Sequence, residues 1–265
     1  MNRFGYYDPT SVQKAVGIAE DKREGRYLAG GQSLLPTMRL RLNAPTDLID
    51  LGQIADLRGI RVEGNALTIG SMVAHAEVCS SAEVKKRIPA LAELASLIGD
   101  RQVRNRGTLG GSIANNDPAA DYPAAALALD AVITTSQRKI EADDFFKGLF
   151  DTALGPGELI VSVSFPIPKK AGYAKFKNPA SRFAIAGVFV AQTADGVRVA
   201  VTGAGANGVF RAKAMEAALS KDWSPQSVKG ILPDVGEMQT DLHASAEYRA
   251  HLVMVMAQRA IANAA

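Results

Sequence analysis

The sequence is poor in cysteine and histidine, two residues that proteins often use to hold metals. It has one cysteine, Cys79, and three histidines, His75, His243 and His251. A single cysteine excludes an internal disulfide and any cysteine cage for zinc or an iron-sulfur cluster within the chain. The histidines lack a metal-ligand spacing such as H-E-x-x-H, and we expect them to be solvated or locally hydrogen-bonded. Any metal that this protein works with must therefore lie in a partner.

Long apolar runs and one-sided charge are also missing. No stretch approaches the roughly 20 apolar residues that a membrane-spanning helix needs, and the first residues lack the apolar core of a signal peptide. The net charge of +3 at pH 7 is small and dispersed, whereas nucleic-acid-binding proteins usually cluster Lys and Arg on one face. We therefore expect a cytoplasmic protein with no integral membrane segment and no nucleic-acid partner.

The composition is that of an ordinary globular protein, with 47% hydrophobic and 22% charged residues. A chain of this length can form one to three domains. Hydrophobic periodicity and turn residues predict an α+β chain in three units, 1–55, 56–168 and 169–265, with the last boundary at the Pro and Lys cluster 166–170. The first unit is predicted to contain strands at 26–29 and 47–51, with helices ending near 20 and starting at 34.

The second unit contains a segment of unusual length, Asp100 to Pro123. It follows a predicted hairpin, 60–69, and a helical stretch, 71–99, and it precedes a short helix, 124–129, and strands at 131–134 and 159–165. Loops longer than about 12 residues in compact domains are usually functional or disordered. This one is rich in Gly, Asn and Asp without the charge of a disordered tail, so we interpret it as a binding loop.

The third unit is predicted to be an independent domain made of a strand layer with helices on it. Strands at 184–192 and 197–202 flank Asp195-Gly196, and Asp-Gly is a strong hairpin signal. Helical periodicity covers 210–219 and 243–264. No internal repeat is present.

Two glycine-rich turns are the strongest candidates for a binding site: Ala29-Gly30-Gly31-Gln32-Ser33-Leu34-Leu35-Pro36, and the stretch from Thr108 through Gly110 and Gly111 to Asp121. Glycine lets consecutive N–H groups approach and surround phosphate oxygens, and a helix N-terminus adds partial positive charge. Two such nests suit a pyrophosphate. The structural alternative is that each Gly-Gly pair only permits a tight strand-to-helix turn.

A third glycine motif, Gly203-Ala204-Gly205-Ala206-Asn207-Gly208, fits the dinucleotide pattern G-x-G-x-x-G. Its preceding strand is predicted to pair in a hairpin, and no second strand ending in an acidic residue follows. A Rossmann unit needs parallel βαβ connections, so we do not assign an NAD site here.

Long segments of the chain resemble the medium, FAD-binding subunit of the xanthine dehydrogenase and carbon monoxide dehydrogenase family. They are AGGQSLLP, RLRLNAPTDLIDL, QVRNRGTLGGSIANNDPAADYPAA, FKNPASRFAIAGVFV and VTGAGANGVFRAKAMEAAL. The resemblance covers nearly the whole chain. It implies a two-lobed FAD-binding region of the vanillyl-alcohol-oxidase (PCMH) type, formed by 1–55 and 56–168. The third unit, 169–265, would be a C-terminal α+β domain of the carbon monoxide dehydrogenase flavoprotein type, with a small antiparallel sheet and helices.

The resemblance also implies a set of FAD-binding residues. The diphosphate and ribityl chain would be held by the two glycine turns, through Ala29, Gly30, Gly31, Gln32, Ser33, Leu34, Thr108, Leu109, Gly110, Gly111, Ser112 and Asn115. Asp121 would accept a hydrogen bond from the cofactor. Ile98 falls where relatives place an aromatic residue against the flavin ring, and its aliphatic side chain departs from the xanthine dehydrogenase pattern. Lys177 falls where a basic residue can reach the ring.

The function implied by the resemblance is electron transfer. The partners would be a small subunit with [2Fe-2S] clusters and a large subunit with the molybdenum cofactor, in a dimer of heterotrimers. Quinone, NAD and oxygen all remain open as electron acceptors. No nucleophile-base pair or carboxylate dyad is evident, as expected when the cofactor performs the redox chemistry. The alternatives are a stand-alone FAD-dependent oxidoreductase of the same fold and a flavin-less assembly subunit, against which the intact glycines argue.

Overall fold

The computed structural model describes residues 1–265. Its main sheets have three, five and four strands, and each is built from a separate stretch of the chain. The fold is a mixture of helices and strands, as the α+β prediction requires. No helix combines the length and the apolar composition needed to cross a bilayer.

The N-terminal sheet is parallel, with β3 in its centre. Its elements are β1 (Gly5–Tyr7), α1 (Val12–Asp21), β2 (Arg26–Leu28), α2 (Leu34–Arg39) and β3 (Asp47–Asp50). Parallel neighbours need crossover connections, and the two helices supply them. Helix α1 is capped by Ser11, whose hydroxyl accepts a hydrogen bond from the Lys14 N–H. The turn between β2 and α2 is therefore at the carboxyl end of a parallel strand.

The middle sheet is antiparallel, in the order β4-β5-β10-β6-β7. Its strands are β4 (Ile60–Glu63), β5 (Ala66–Gly70), β6 (Val132–Thr135), β7 (Lys139–Glu141) and β10 (Ile160–Pro166), and a separate hairpin is formed by β8 (Phe146–Gly148) and β9 (Asp151–Thr152). The helices of this unit are α3 (His75–Ser80), α4 (Ala82–Arg87), α5 (Pro89–Ser96), α6 (Arg101–Arg106), α7 (Leu109–Asn115), α8 (Tyr122–Ala128) and α9 (Ala142–Phe145).

The prediction that Asp100 to Pro123 is one long loop was wrong. The segment contains α6, α7 and the first two residues of α8. Helices α6 and α7 are too short to show periodicity, and each begins at a side-chain cap. Asp100 accepts a hydrogen bond from the Val103 N–H at 2.8 Å, and Thr108 accepts one from the Gly111 N–H at 3.1 Å. Such caps satisfy N–H groups that a helix leaves free at its start.

The C-terminal sheet is antiparallel, in the order β11-β12-β13-β14. Its elements are β11 (Lys170–Lys177), β12 (Ala184–Thr193), β13 (Gly196–Thr202), β14 (Phe210–Arg211), α10 (Lys213–Lys221) and α11 (Ala246–Ala262). The predicted hairpin is confirmed. Strand β11 was missed, and both helices begin about three residues later than predicted, because β14 pairs with β13 and because Ser245 caps α11.

The G-x-G-x-x-G segment joins two antiparallel strands, β13 and β14. Within it, Gly205 forms an isolated bridge with Met238, and a strand rather than a helix follows it. The parallel connection and the helix N-terminus that a dinucleotide fingerprint needs are both absent at this position.

Strand β12 has two buried faces, and the C-terminal unit is consequently not independent in its packing. Phe189 and Ala191 belong to the same core cluster as Leu91 and Tyr122 of the middle unit. The alternate residues Ala186, Val188 and Val190 pack in a second cluster with Val253 and Met256 of α11. Alternation along a strand sends neighbouring side chains to opposite faces, so one sheet joins both cores.

Arg249 stabilises the C-terminal unit from inside. Its side chain is 2% exposed and its Nη1 donates to the carbonyl oxygens of Ile185 and Gly203, both at 2.6 Å, while Nη2 donates to Asp241 at 2.7 Å. We expect Arg249→Met to lower the free energy of unfolding by about 2–4 kcal/mol, because buried acceptors lose their donor. Urea unfolding measures this. Arg259→Met, at an exposed position of the same helix, should change stability little, and equal losses in both variants would contradict the assignment.

Candidate functional site

A cavity of about 690 Å³ lies where the three units meet. The first unit contributes the β2–α2 turn, the middle unit contributes α6, α7 and the residues around Ile98, and the C-terminal unit contributes Lys175 and the segment 181–183. Its volume falls within the range of about 300–1,000 Å³ that is usual for small-molecule and cofactor sites.

The first glycine turn offers free hydrogen-bond donors to this cavity. The backbone N–H groups of the five residues 29–33 donate to no acceptor within the protein, and all five residues line the cavity. Gly31 has a φ of +72°, which L side chains rarely adopt. Consecutive unpaired N–H groups ahead of a helix form a cradle for an anion. The nest predicted for this turn therefore has its donors available.

The first turn packs directly on the loop between α6 and α7. A Cβ on Gly30 would lie 1.9 Å from the carbonyl oxygen of Arg106 and 2.8 Å from the Cα of Gly107. No side chain can occupy that space. Glycine at position 30 is therefore required by the contact between two backbones, and this contact holds the N-terminal unit against the middle unit at the cavity wall.

The second glycine turn differs from the prediction, because its donors are already used. The Leu109 N–H donates to the Val73 oxygen at 3.0 Å and the Gly110 N–H donates to the Ser71 oxygen at 2.9 Å. The Gly111 N–H donates to Thr108 Oγ1. A Cβ on Gly110 would lie 2.4 Å from the Cβ of Ser71. The structural alternative of a tightly packed turn thus describes this segment, and its N–H groups do not form a second free nest.

A buried ion pair lies in the cavity wall. Lys175 Nζ donates to Asp121 Oδ2 at 2.9 Å, with side-chain exposures of 2% and 4%, and it also donates to the Leu97 oxygen at 3.2 Å. Asp121 Oδ1 accepts a hydrogen bond from the Tyr173 hydroxyl. Burial raises the pKa of Asp121, and the Lys175 ammonium opposes that rise. An ammonium has three donors, so one N–H of Lys175 is left for a ligand.

The structure brings most of the predicted site residues together. Those that line the cavity are Ala29, Gly30, Gly31, Gln32, Ser33, Leu34, Ile98, Thr108, Gly110, Gly111, Ser112, Asn115 and Asp121. Leu109 instead lies fully buried in the core of the middle unit. Lys177 is exposed at the end of β11 and lies outside the lining. Both Asp121 oxygens already have protein donors, so Asp121 faces the cavity as half of an ion pair.

Family comparisons agree with this architecture. The description "FAD binding domain in molybdopterin dehydrogenase" matches residues 2–168, and "CO dehydrogenase flavoprotein C-terminal domain" matches residues 171–264. The chain belongs to the FAD-binding medium subunits of the molybdenum hydroxylases.

No group of three or more His, Cys, Asp or Glu side chains is placed to hold a metal ion.

Individual relatives of this medium subunit match along nearly their whole length. The carbon monoxide dehydrogenase medium chain of Hydrogenophaga pseudoflava is 36% identical, with 98% of this chain and 96% of the relative covered. The nicotine 6-hydroxylase medium subunit of Paenarthrobacter nicotinovorans is also 36% identical, with the same shares covered. These relatives are named as medium chains or subunits of larger enzymes.

Solved structures share the fold of the medium subunit. The H. pseudoflava carbon monoxide dehydrogenase that lacks the Mo-pyranopterin moiety superposes with a TM-score of 0.89 at 36% identity, covering 99% of this chain and 97% of that chain. The reconstituted enzyme of Oligotropha carboxidovorans gives 0.90 at 30% identity, covering 99% and 97%.

Several lining residues of the medium subunit carry no sequence signal of their own. Lys175 lies two positions before the predicted Lys177, on a strand that was not predicted. The aromatic residues Tyr27, Phe150 and Phe183 also line the cavity, although Ile98 does not supply an aromatic ring. A period-two pattern over 170–177 would place Lys175 and Lys177 on the same face of the strand. The irregularity in the pairing of β11 with β12 between Phe176 and Lys177, which the sequence does not show, lies between the two lysines.

The ion pair in the cavity wall gives a stability prediction. We expect Lys175→Met to lower the free energy of unfolding by about 3–5 kcal/mol, because Asp121 is left as an unpaired buried carboxylate. Lys177→Met on the same strand should be close to neutral, since Lys177 is exposed. Chemical unfolding of both variants checks this. Equal stabilities would show that the pair does not stabilise the cavity wall.

A second wall residue, Glu158, gives a pH prediction. Its burial favours the protonated form, but hydrogen bonds from Arg138, the Gly155 N–H and Thr135 outweigh this and lower the pKa of Glu158 from 4.5 to about 2. The folded state therefore prefers the charged form, and its contribution is complete above pH 4.5 and is lost as pH falls toward 2.

We expect Glu158→Gln to destabilise the protein by about 1–3 kcal/mol at pH 7, with the difference from the unsubstituted protein shrinking below pH 4.5. Thermal unfolding across pH 7 to 3 measures both. Glu141→Gln, at an exposed position, is the control. A difference for Glu158→Gln that did not change with pH would contradict the ionic explanation.

Proposed function

We propose that this chain is the FAD-carrying electron-transfer subunit of a molybdenum hydroxylase. It passes electrons from [2Fe-2S] clusters of a small subunit to an external acceptor, and substrate is hydroxylated in a large subunit that holds the molybdenum cofactor. The observation that carries the proposal is the row of free backbone N–H groups at residues 29–33, which lines a cavity of cofactor size.

The residues present fit FAD. The first glycine turn supplies uncharged donors and a glycine in the left-handed region for the diphosphate, beside the N-terminus of α2. Lys175 supplies a fixed positive charge with one donor to spare, and Asp121 holds that charge in place. Thr108, Ser112 and Asn115 add polar side chains along the same wall. Bound FAD supplies the redox chemistry itself, with exchange between one-electron and two-electron carriers.

The chain's own task is therefore to bind, orient and shield. The site has no nucleophile-base pair, so the stand-alone oxidoreductase is disfavoured. We propose a dimer of heterotrimers in the cytoplasm, with quinone, NAD or oxygen as the acceptor. We also propose the division into lobes 1–55 and 56–168 and a C-terminal domain 169–265, which is supported by the assignment of one main sheet to each stretch.

The experiment that tests the function begins with the purified complex. Its absorption spectrum should show flavin bands. Denaturation should release FAD in an amount near equimolar to this chain. Addition of the substrate of the large subunit should bleach the flavin bands. A complex that releases no FAD on denaturation and cannot be reconstituted with FAD would identify this chain as an assembly subunit.

The first glycine turn can be tested with a matched pair of variants. Gly31 (φ +72°) and Gly64 (φ +60°) both have left-handed backbones, so Gly31→Ala and Gly64→Ala introduce a similar strain of about 1–3 kcal/mol. Only Gly31 lies in the cradle, where a Cβ would also meet Leu35 at 2.8 Å. We expect at least tenfold weaker FAD binding for Gly31→Ala and none of this loss for Gly64→Ala. Equal affinities would remove the cradle from the FAD site.

A further inference from the structure

Two buried polar side chains line the cavity without any partner. Ser71 is 4% exposed and His75 is 5% exposed, and neither Ser71 Oγ nor His75 Nδ1 has a hydrogen-bond partner. Both residues belong to the cavity lining. Buried polar groups nearly always have partners in folded proteins, and an exception calls for an explanation such as a ligand. The expectation that His75 is solvated or locally bonded was wrong.

The backbone fixes both residues firmly. The Ser71 N–H donates to the Val161 oxygen at 2.9 Å, and the Ser71 oxygen accepts the Gly110 N–H. The His75 N–H donates to the Gly107 oxygen at 3.0 Å. On one side the imidazole lies against Gly107, where a Cβ would come 2.6 Å from Nε2, and on the other the Tyr122 ring centroid is 5.4 Å away. The backbone groups named above are hydrogen-bonded within the protein. Ser71 Oγ and His75 Nδ1 are therefore free to bind a ligand.

The chemistry of the pair selects the ligand. Burial, with a smaller effect of the Arg104 charge, lowers the pKa of His75 to about 4, so the ring is neutral at physiological pH. A neutral imidazole has one donor and one acceptor, and a serine hydroxyl both donates and accepts. A phosphate can only accept hydrogen bonds, so it fits Nδ1 only in the tautomer that carries the proton there. An alcohol hydroxyl both donates and accepts and suits both side chains.

We propose that Ser71 and His75 form a subsite for sugar-type hydroxyl groups of the bound FAD, next to its diphosphate. This inference rests on the proposed function. Location supports it: Ser71 and His75 pack on Gly110 and Gly107, and Gly107 in turn packs on Gly30 of the cradle. The groups of FAD that flank the diphosphate are the ribityl chain and the ribose of adenosine, and both carry hydroxyl groups.

The test uses the FAD-stripped complex and titration with FAD, followed by flavin fluorescence. Ser71→Ala and His75→Phe remove the polar atoms while keeping the size or the ring. We expect each to weaken FAD binding about tenfold, the size of one lost hydrogen bond. Ser80→Ala and His251→Gln, at exposed positions, should bind like the unsubstituted protein. Thermal unfolding of the FAD-free variants shows whether they are folded.

FAD analogues that lack one hydroxyl show whether the subsite binds the ribityl chain or the ribose of adenosine. One set lacks a ribityl hydroxyl and the other lacks a ribose hydroxyl. An analogue without the bound hydroxyl should bind the unsubstituted complex about tenfold more weakly and should lose nothing further in the variant that lacks its partner, as a double-mutant cycle measures. Titration of the unsubstituted complex with these analogues tests the subsite even if a variant fails to fold. Full affinity for every analogue, or unchanged FAD affinity in both variants, would overturn the subsite. Failure of the unsubstituted complex to bind FAD would instead overturn the proposed function.

Discussion

The architecture of the cavity depends on one contact between two stretches of backbone. Gly30 lies so close to the Arg106 carbonyl and to Gly107 that no side chain fits between them. Because of this contact, the turn after a parallel strand of the first unit and the loop before α7 of the second form one continuous wall. Close packing of this kind transmits strain rather than absorbing it, so the position of the N–H cradle is tied to the position of the middle unit.

The two glycine turns look alike in sequence but have different tasks. The N–H groups of the first turn are free. Those of the second donate hydrogen bonds to Val73, Ser71 and Thr108, and these bonds anchor α7 to the middle unit. Neither the Gly-Gly pair nor its flanking residues distinguish a free donor from a bonded one. For Leu109 and Gly110 that distinction depends on the acceptors Val73 and Ser71, which lie more than 30 positions earlier in the chain, and single-sequence patterns do not show such contacts.

Much of the fold was nevertheless accessible from the sequence. Alternation and Asp195-Gly196 predict the hairpin of β12 and β13, and the long resemblance motifs predict the family. Of the predicted site residues, all but Leu109 and Lys177 line the cavity. What escaped were short elements and buried polar groups. Helices α6 and α7 depend on single side-chain caps, β11 depends on its partner strand, and the pairing of Asp121 with Lys175 joins residues 54 positions apart. Strand β11 and the ion pair depend on tertiary packing, which outweighs weak local propensity. The caps of α6 and α7 are local, but the helices they start are too short to show periodicity.

The two buried faces of β12 limit how this protein can be rearranged. Phe189 packs in one core while Val188 and Val190 pack in another, so the strand lies between the two cores and contributes side chains to both. Recombination between family members at residue 168 would take β12 from one parent and the rest of the middle-unit core from the other. A chimera would keep every element of secondary structure and still have mismatched side chains along a whole sheet face. A well-packed chimera would therefore need matching residues in α5 and α8, which pack in the same core cluster as Phe189.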